Sequence, residues 1–450
     1  MKLNDRIVIL GSGESGTGAA ILAKQKGFDV FVSDNGTIPE NFKRELHTHE
    51  ISFEENNHTE EKILNANEVI KSPGIPEKNE FVKKLRSKNI PVISEIEFAA
   101  RYTNAKKICI TGTNGKTTTT SLVYHLLKKA QFNVACGGNI GTSFARLVAE
   151  KNYEYYVLEL SSFQLDDLYD FKAEVAVLTN ITPDHLDRYD YEIQNYIHSK
   201  FRIIQNQTAD DFFIYCADDE LTVNNLSKFG IKAKQLPFSF SKELPEGAYI
   251  KEGKIISSIN INNLKPFTMY TNELSLRGRH NAFNSMAAAI IGQVFNIQKE
   301  TIRESLSDFQ NIEHRLERVG TIGGIEFIND SKATNVNSAW YALESLEKPA
   351  IWIAGGVDKG NDYSILKDIV KEKVRIIVCM GLDNRKIHEA FRTDVDMIVN
   401  TTSAKEAVHV AYKLAKPGEI VLLSPACASF DLFKNYEDRG RQFKNEVKEL

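Results

Sequence analysis

Residues Ile108–Thr120 read ICITGTNGKTTTT, an apolar, β-prone run that stops at a glycine-containing loop. Lys116 and Thr117 then open an amphipathic helix carrying Leu122, Val123, Leu126 and Leu127. Strand, tight loop and helix in immediate succession admit few folds: the strand belongs to a parallel sheet, and the helix is the crossover to its next strand. The same order gathers the N–H groups of a helix N-terminus, a lysine and a hydroxyl around one point. That is a cradle for phosphate, with the Thr117 hydroxyl placed for Mg²⁺. An ordinary phosphate loop has glycine six positions before the lysine; here Ile110 stands there, and Gly112 and Gly115 make the turn.

Short apolar runs alternate with helical periodicity through most of the 450 residues, which predicts parallel α/β sheets and more than one core. A first unit has strands at Arg6–Leu10, Val30–Ser33, Val69–Lys71 and Val92–Ser94, with a helix over 17–26. A second has strands at Lys107–Thr111, Asn133–Ala135, Tyr155–Leu160, Val175–Thr179 and Phe212–Tyr215, and helices over 117–130, 191–206 and 280–295. Ser239–Leu276 is polar and irregular, with a β excursion at Ala248–Ile250 and Lys254–Ile259. A third follows His314-Arg315, with strands at Glu326–Ile328, Ala350–Ala354, Arg375–Met380 and Glu419–Leu423. The expected fold class is α/β in three domains: an N-terminal Rossmann-like parallel sheet (1–95), a central P-loop-type ATPase α/β domain (96–311) and a C-terminal Rossmann-like α/β domain (312–450).

A net charge of −4 argues against a nucleic-acid binder, which carries a basic face. The five cysteines are odd in number and never closely paired, pointing to buried thiols in a reducing compartment. Ile7–Leu10 runs straight into glycines, unlike a signal peptide, and no apolar run approaches the roughly 18 residues of a membrane span. The expectation is a cytoplasmic protein.

Gly11-Ser12-Gly13-Glu14-Ser15-Gly16 fits G-x-G-x-x-G between a strand and a helix, with Asp34 ending the next strand. Its physics recognises a pyrophosphate beside a ribose, so NAD and a UDP-linked substrate satisfy it equally. Ser72-Pro73-Gly74-Ile75 ends a later strand of the same sheet, where ligands of open sheets gather. In the second unit, Gly137-Gly138-Asn139-Ile140-Gly141, Glu159 and His185 follow strands that share a carboxyl edge with the phosphate loop. Glu159 and His185 are candidates to hold Mg²⁺ against phosphate oxygens, the alternative for His185 being a hydrogen-bonded turn residue. Lys200, on the following helix, reads by itself as a solvated lysine.

These residues resemble the Mur ligase family of ATP-dependent amide-forming enzymes, which includes folylpolyglutamate synthase. Gly112-Thr113-Asn114-Gly115-Lys116-Thr117 matches the family's ATP signature, displaced glycine included, and the likeness runs from the first strand to the C-terminus. Leu158–Leu165 (LELSSFQL), Asn329–Asn335 (NDSKATN) and Leu423–Phe430 (LSPACASF) look like the members that add D-glutamate. The resemblance implies addition of D-glutamate to UDP-N-acetylmuramoyl-L-alanine with ATP, through an acyl phosphate and a tetrahedral intermediate, in peptidoglycan precursor synthesis. Another Mur-type or folylpolyglutamate-type amino-acid ligase is the alternative.

The implied roles follow residue by residue. The loop Gly112–Thr117 with Thr118 takes the ATP phosphates, and Thr117, Glu159, His185 and a carbamylated Lys200 take two Mg²⁺ ions. Asn139 contacts the muramoyl substrate; Asn281 and Asn284 lie on the adenine side; Arg315 and Asp330 close over the nucleotide from the third domain. Gly13, Glu14, Ser15, Gly16, Asp34, Asn35, Ser72 and Gly74 match the uridine and diphosphate contacts. Lys332, Thr334, Lys359, Ser429, Phe430 and Tyr436 line the D-glutamate pocket. Gly36 stands where some relatives have a basic residue near the uridine. A monomer without nucleic-acid partner or membrane span is implied. A NAD-dependent oxidoreductase would leave the GKT loop idle, and a non-catalytic nucleotide switch would leave Glu159, His185 and Lys200 together unexplained.

Overall fold

The computed structural model describes residues 5–261, 266–276, 278–310, 313–358 and 360–450. They form three sheets, as the alternation predicts. The first is parallel throughout, in the order β3-β2-β1-β4-β5, from β1 (Arg6–Leu10), β2 (Asp29–Ser33), β3 (Ser52–Glu54), β4 (Glu68–Lys71) and β5 (Val92–Ile93). The central sheet contains β6 (Lys106–Thr111), β7 (Val134–Gly138), β8 (Tyr155–Glu159), β9 (Val175–Leu178), β10 (Phe212–Cys216), β11 (Lys234–Ser239), β12 (Gly247–Lys251), β13 (Lys254–Ser258) and β14 (Phe267–Tyr270). Its order is β14-β13-β12-β11-β10-β9-β6-β8-β7, parallel except for β13, which runs antiparallel to both β12 and β14. The third sheet is β15 (Glu317–Ile322), β16 (Ile325–Asn329), β17 (Ala350–Ala354), β18 (Val374–Met380), β19 (Met397–Thr401) and β20 (Ile420–Leu423). Its order is β15-β16-β20-β17-β18-β19, with only β15 antiparallel. Burial on both faces explains the continuous apolar runs of the inner strands.

The β excursion is a genuine extension of the central sheet. The expected helix over 191–206 is an α-helix at Ile193–Phe201 followed by a 3₁₀ turn at Arg202–Ile204. Strands β3, β11, β14, β15 and β19 carry no continuous apolar signal, being short, polar or at an edge. β11 even contains Pro237, tolerated because β12 joins it only at Phe238 and Ser239. Among the described residues no helix is long and apolar enough to cross a membrane.

The chain divides into two compact units, Met1–Leu274 with Phe283–Asp308, and Ser275–Ala282 with Phe309–Leu450. The first holds both the N-terminal and the central sheets, whose cores merge: Ile9, Leu22 and Phe98 belong to one cluster with Phe144, Leu158 and Phe171. The Glu14–Gln25 helix packs on the Phe144–Glu150 helix so closely that a Cβ on Gly18 would lie 2.2 Å from Ser143 Oγ.

Polar contacts rivet the same seam. Lys71 meets Asp167 at 2.9 Å with both side chains buried, and Arg86 reaches that carboxylate at 2.8 Å. Arg146 binds Glu14 at 2.9 Å and Glu45 at 2.5 Å. The linking helix Glu95–Ala100 is buried over most of its length, and the Glu97 carboxylate accepts the backbone N–H groups of Tyr169, Asp170 and Phe171. Replacing Glu97 with alanine strands three donors at once, which on ordinary magnitudes removes about 3 kcal/mol or more of stability. Denaturant titration of the Glu97→Ala variant checks this; a loss below about 1 kcal/mol would show that the seam does not depend on that carboxylate.

Candidate active site

The phosphate loop is shaped from its neighbouring strand. Gly112 has φ +142° and Gly115 φ +83°, conformations an L side chain rarely adopts, and Gly115 is the residue preceding the Lys116–Lys129 helix. A Cβ on Gly112 would fall 2.0 Å from Thr179 Oγ1. Thr179 Oγ1 donates to the Asn114 carbonyl at 2.6 Å, Asn114 N–H donates to Asn180 Oδ1, and Thr113 N–H donates to the Asn180 carbonyl. From the far side Thr119 Oγ1 donates to Asn284 Oδ1 at 3.0 Å, and that oxygen lies 2.7 Å from where a Gly115 Cβ would be. Thr117 and Thr118 are buried at the helix start.

Two lysines converge on this loop. Lys116 Nζ donates to the carbonyls of Gly112 (2.9 Å) and Thr113 (2.8 Å), and Lys200 Nζ donates to the same Gly112 oxygen at 2.8 Å. Lys200 is 2% exposed and lies over the Tyr196 ring. The expected solvated lysine is therefore wrong: Ile193–Phe201 turns this face onto the sheet. Burial, reinforced by the Lys116 charge, depresses the Lys200 pKa well below the ordinary lysine range.

Strands β8 and β9 flank β6, so their ends border the loop. Glu159 pairs with Ile110 across β6–β8 and is 1% exposed; its Oε1 accepts Asn139 Nδ2 at 2.7 Å, while Oε2 is buried with no partner. His185 adopts φ +53° beyond β9, edge-on to Phe163 at 5.2 Å. Phe163, from the LELSSFQL run, also stacks on Tyr189 and carries the Arg188 guanidinium 4.2 Å above its face. Arg188 in turn donates to the Pro73 and Gly74 carbonyls, joining the His185 turn to the loop after β4. No local motif singles out Arg188, because its partners lie more than a hundred residues away.

At the carboxyl ends of β1, β2 and β4 lies a cavity of about 540 Å³ lined by Gly13, Ser15, Asp34, Asn35, Ser72 and Gly74 among others. Gly16 is required, since a Cβ there would sit 1.9 Å from the Gly11 carbonyl. Asp34 accepts the N–H groups of Ser12 (2.6 Å) and Gly36 (2.8 Å). Glu14 lines the same cavity, but its carboxylate is held by Arg146 and the Ser143 N–H. His58 and Asn79, not anticipated, also face this space.

In the second unit Asp330 follows β16, buried, accepting from Ser424 Oγ (2.9 Å) and the Leu316 N–H (3.2 Å). Burial raises its pKa to about 7, with Ser424 and Arg315 opposing. Arg315 Nε is buried without a partner. Lys332 Nζ donates to Tyr436 OH at 2.9 Å, and Thr334 N–H donates to the Lys332 carbonyl. Ser429 is buried and Phe430 is 69% exposed. Arg439, also unanticipated and 1% exposed, donates to Ser331 Oγ, Ser331 O and Cys427 O, tying the two loops together. Asn281 is buried near the start of the Arg279–Val294 helix. Lys359 lies outside the described residues. Glu313, His314 and Glu317 are the one metal-capable trio among the described residues, and Lys444 already sits against both carboxylates.

Three family models match the chain: the MurD N-terminal domain at residues 6–81, the Mur ligase middle domain at 110–292, and the Mur ligase glutamate ligase domain at 314–427. The chain is 56% identical over 448 residues to a protein named UDP-N-acetylmuramoylalanine--D-glutamate ligase from Christiangramia forsetii, covering 100% of both chains. It is 50% identical to the protein of that name from Porphyromonas gingivalis, again over 100% of both. Among solved structures it resembles the UDP-N-acetylmuramate-alanine ligase MurC of Thermotoga maritima (TM-score 0.63, 18% identity, 99% of each chain). The MurF ligase of Thermotoga maritima, solved in complex with ADP, has the same fold (TM-score 0.60, 15% identity, 100% of each chain).

The raised pKa of the buried Asp330 carboxyl makes the stability of its unit depend on pH. Between roughly pH 4, where an unfolded aspartate titrates, and about 7, the folded unit holds the extra proton, so this group's stabilisation is lost as pH rises through that window. Denaturant titrations from pH 4 to 8 should show the stability difference between wild type and Asp330→Asn moving against wild type as pH increases. A difference that stays constant across the window would contradict the assignment.

Proposed function

The chain belongs to the Mur ligase family, and we infer that it is an ATP-dependent ligase forming the amide between UDP-N-acetylmuramoyl-L-alanine and D-glutamate. The observation that carries this is a phosphate loop flanked by Glu159 and the His185 turn, in a chain matching full-length D-glutamate ligases at 50–56% identity. The reaction class is cytoplasmic peptidoglycan precursor synthesis, with the enzyme acting as a monomer.

The substrate carboxylate attacks the γ-phosphate of ATP, giving an acyl phosphate and ADP; the D-glutamate amine then attacks the carbonyl, and phosphate leaves from a tetrahedral intermediate. The first step brings two anions together, so positioning and positive charge decide its rate. Lys116 and the N–H groups at the start of its helix supply both. At rest Lys116 is parked on the carbonyls of its own loop, and phosphate oxygens are better acceptors for it. Asn139, held by Glu159, is assigned to the muramoyl substrate. Gly13, Glu14, Ser15, Gly16, Asp34, Asn35, Ser72 and Gly74 are assigned to the UDP moiety, Glu14 through its bridge to Arg146.

Magnesium fits the residues beside the loop, because Glu159 Oε2 is a buried carboxylate oxygen with no protein partner. Thr117, Glu159 and His185 would hold it, and it would offset the charge of the reacting anions. A carbamylated Lys200 is favoured by the same geometry. Two ammonium groups share the Gly112 carbonyl, and the buried one is pushed toward the neutral amine that adds to CO₂. Asn281, Asn284, Arg315 and Asp330 are assigned to the nucleotide. Lys332, Thr334, Lys359, Ser429, Phe430 and Tyr436 are assigned to D-glutamate, whose two carboxylates call for cations.

Phosphate release measured with UDP-N-acetylmuramoyl-L-alanine, ATP and a panel of amino acids tests the reading. D-glutamate should stimulate it and L-alanine, diamino acids and folate substrates should not; no response to D-glutamate would refute it. Lys116→Ala should lower turnover by about 10² or more. Lys200→Ala should lose activity and regain part of it with added short carboxylates, and an absence of rescue would count against the carbamate.

A further inference from the structure

His58 is fixed by a chain of hydrogen bonds whose direction can be worked out. Glu54 accepts Thr59 N–H (2.7 Å), Thr59 Oγ1 (2.6 Å) and Lys62 Nζ (3.4 Å), so it is an ionised carboxylate with no proton to give. These donors hold its pKa below the ordinary value against partial burial. Ser33 Oγ lies 2.8 Å from Glu54 Oε1 and 2.6 Å from His58 Nδ1. Its single proton goes to the charged acceptor rather than to the Asn57 carbonyl at 3.4 Å. The serine oxygen can then only accept from the ring, which places the imidazole proton on Nδ1.

Burial keeps the ring neutral near pH 7 by lowering its pKa, the charges of Asp34 and Glu54 opposing. Nε2 is therefore an unprotonated acceptor, and His58 lines the cavity at the ends of β1, β2 and β4. Several other polar side chains there already have partners: Asp34 with the N–H groups of Ser12 and Gly36, Glu14 with Arg146, Ser72 with the Gly11 carbonyl. Asn79 spends its Oδ1 on the Phe81 N–H, leaving the amide NH₂ as a donor in the same cavity.

We propose that His58 determines base specificity in this cavity, its Nε2 accepting the N3–H of a uracil ring while Asn79 donates to a flanking carbonyl. Uracil offers one N–H between two carbonyl oxygens, the complement of an acceptor beside a donor. Cytosine presents a lone pair at N3, so it would set two acceptors against each other. The inference rests on the reading that a UDP-linked substrate binds here. It also gives a source of base recognition in a chain where Gly36 supplies no basic side chain.

The test is calorimetric binding of UDP and of CDP to the full chain, as wild type, His58→Ala and Ser33→Ala, each checked for cooperative melting. Wild type should prefer UDP. His58→Ala should weaken UDP by about tenfold and leave CDP nearly unchanged, and Ser33→Ala, which unpins the tautomer, should do so by a few-fold. Equal losses for UDP and CDP, or no loss for UDP, would overturn the role of His58 while leaving the UDP reading intact. Failure of wild type to bind either nucleotide would instead overturn the UDP reading. Independently of any variant, ¹⁵N spectra of the imidazole in wild type should show a bare Nε2 that shifts on adding UDP; a protonated Nε2 in the free protein would sink the proposal.

Discussion

The carbonyl of Gly112 is the point on which the central chemistry depends. Lys116 comes to it from the helix it opens, and Lys200 from a helix more than 80 residues later in the chain. Both ammonium groups lie within hydrogen-bond distance of this one oxygen, so their like charges repel at short range. The two cannot both stay charged at ease. Lys200, sealed against Tyr196 and the sheet, is the one whose ammonium form is disfavoured. A carbonyl left accepting from both is available only because Gly112 takes a conformation closed to other residues and Thr179 crowds the space a side chain would need.

That loop is tied to the cavity at the ends of β1, β2 and β4 through a shared core and buried polar contacts. The first and central sheets share one apolar core, and Glu97, Asp167 and Arg146 bond across it where the chain passes from one sheet to the other. Arg188 adds a direct strut from the His185 turn to the Pro73 and Gly74 carbonyls. On the proposed function, a substrate with its nucleotide end at β1 and its reacting end at β6 would meet two sites whose spacing is set before it binds, which is how positioning lowers a barrier between two anions.

What could be read from the sequence follows from how local each feature is. The phosphate loop, the Gly11–Gly16 turn and the inner strands announce themselves within a dozen residues, because each is a run of buried apolar residues or a turn with a fixed glycine demand. Lys200 could not be read this way. Its burial is decided by which face of Ile193–Phe201 meets β6, and that helix has charged and polar residues on several sides. Glu14 fits a nucleotide-binding loop by position, yet its charge is taken by Arg146, 132 residues on. Arg439 and Ser331 are 108 residues apart, so no spacing rule connects them. Edge strands such as β15 and β19 were missed for a related reason: one side faces solvent or a turn, and the apolar run that marks a doubly covered strand is not required there.

A recurring device links these sites. A carboxylate is saturated by fixed donors, and what it leaves unsaturated is what a ligand meets. Asp34 accepts one backbone N–H on each oxygen, which fixes the Gly11–Gly16 loop and leaves each oxygen one further acceptor site. Glu159 accepts from Asn139 on one oxygen and keeps the other buried without a protein partner, an acceptor that a cation would satisfy. Glu54 goes a step further: having no proton, it accepts the Ser33 O–H, and the consequence travels through the hydroxyl to decide which nitrogen of His58 carries hydrogen. In each case the polarity presented to a ligand is set by partners behind the visible surface, since a buried polar group with an unmet bond costs far more than one bond gains. Specificity in such a molecule is therefore written in the second layer of contacts, where it is protected from solvent and where substitution of an apparently structural serine or glutamate changes what the cavity accepts.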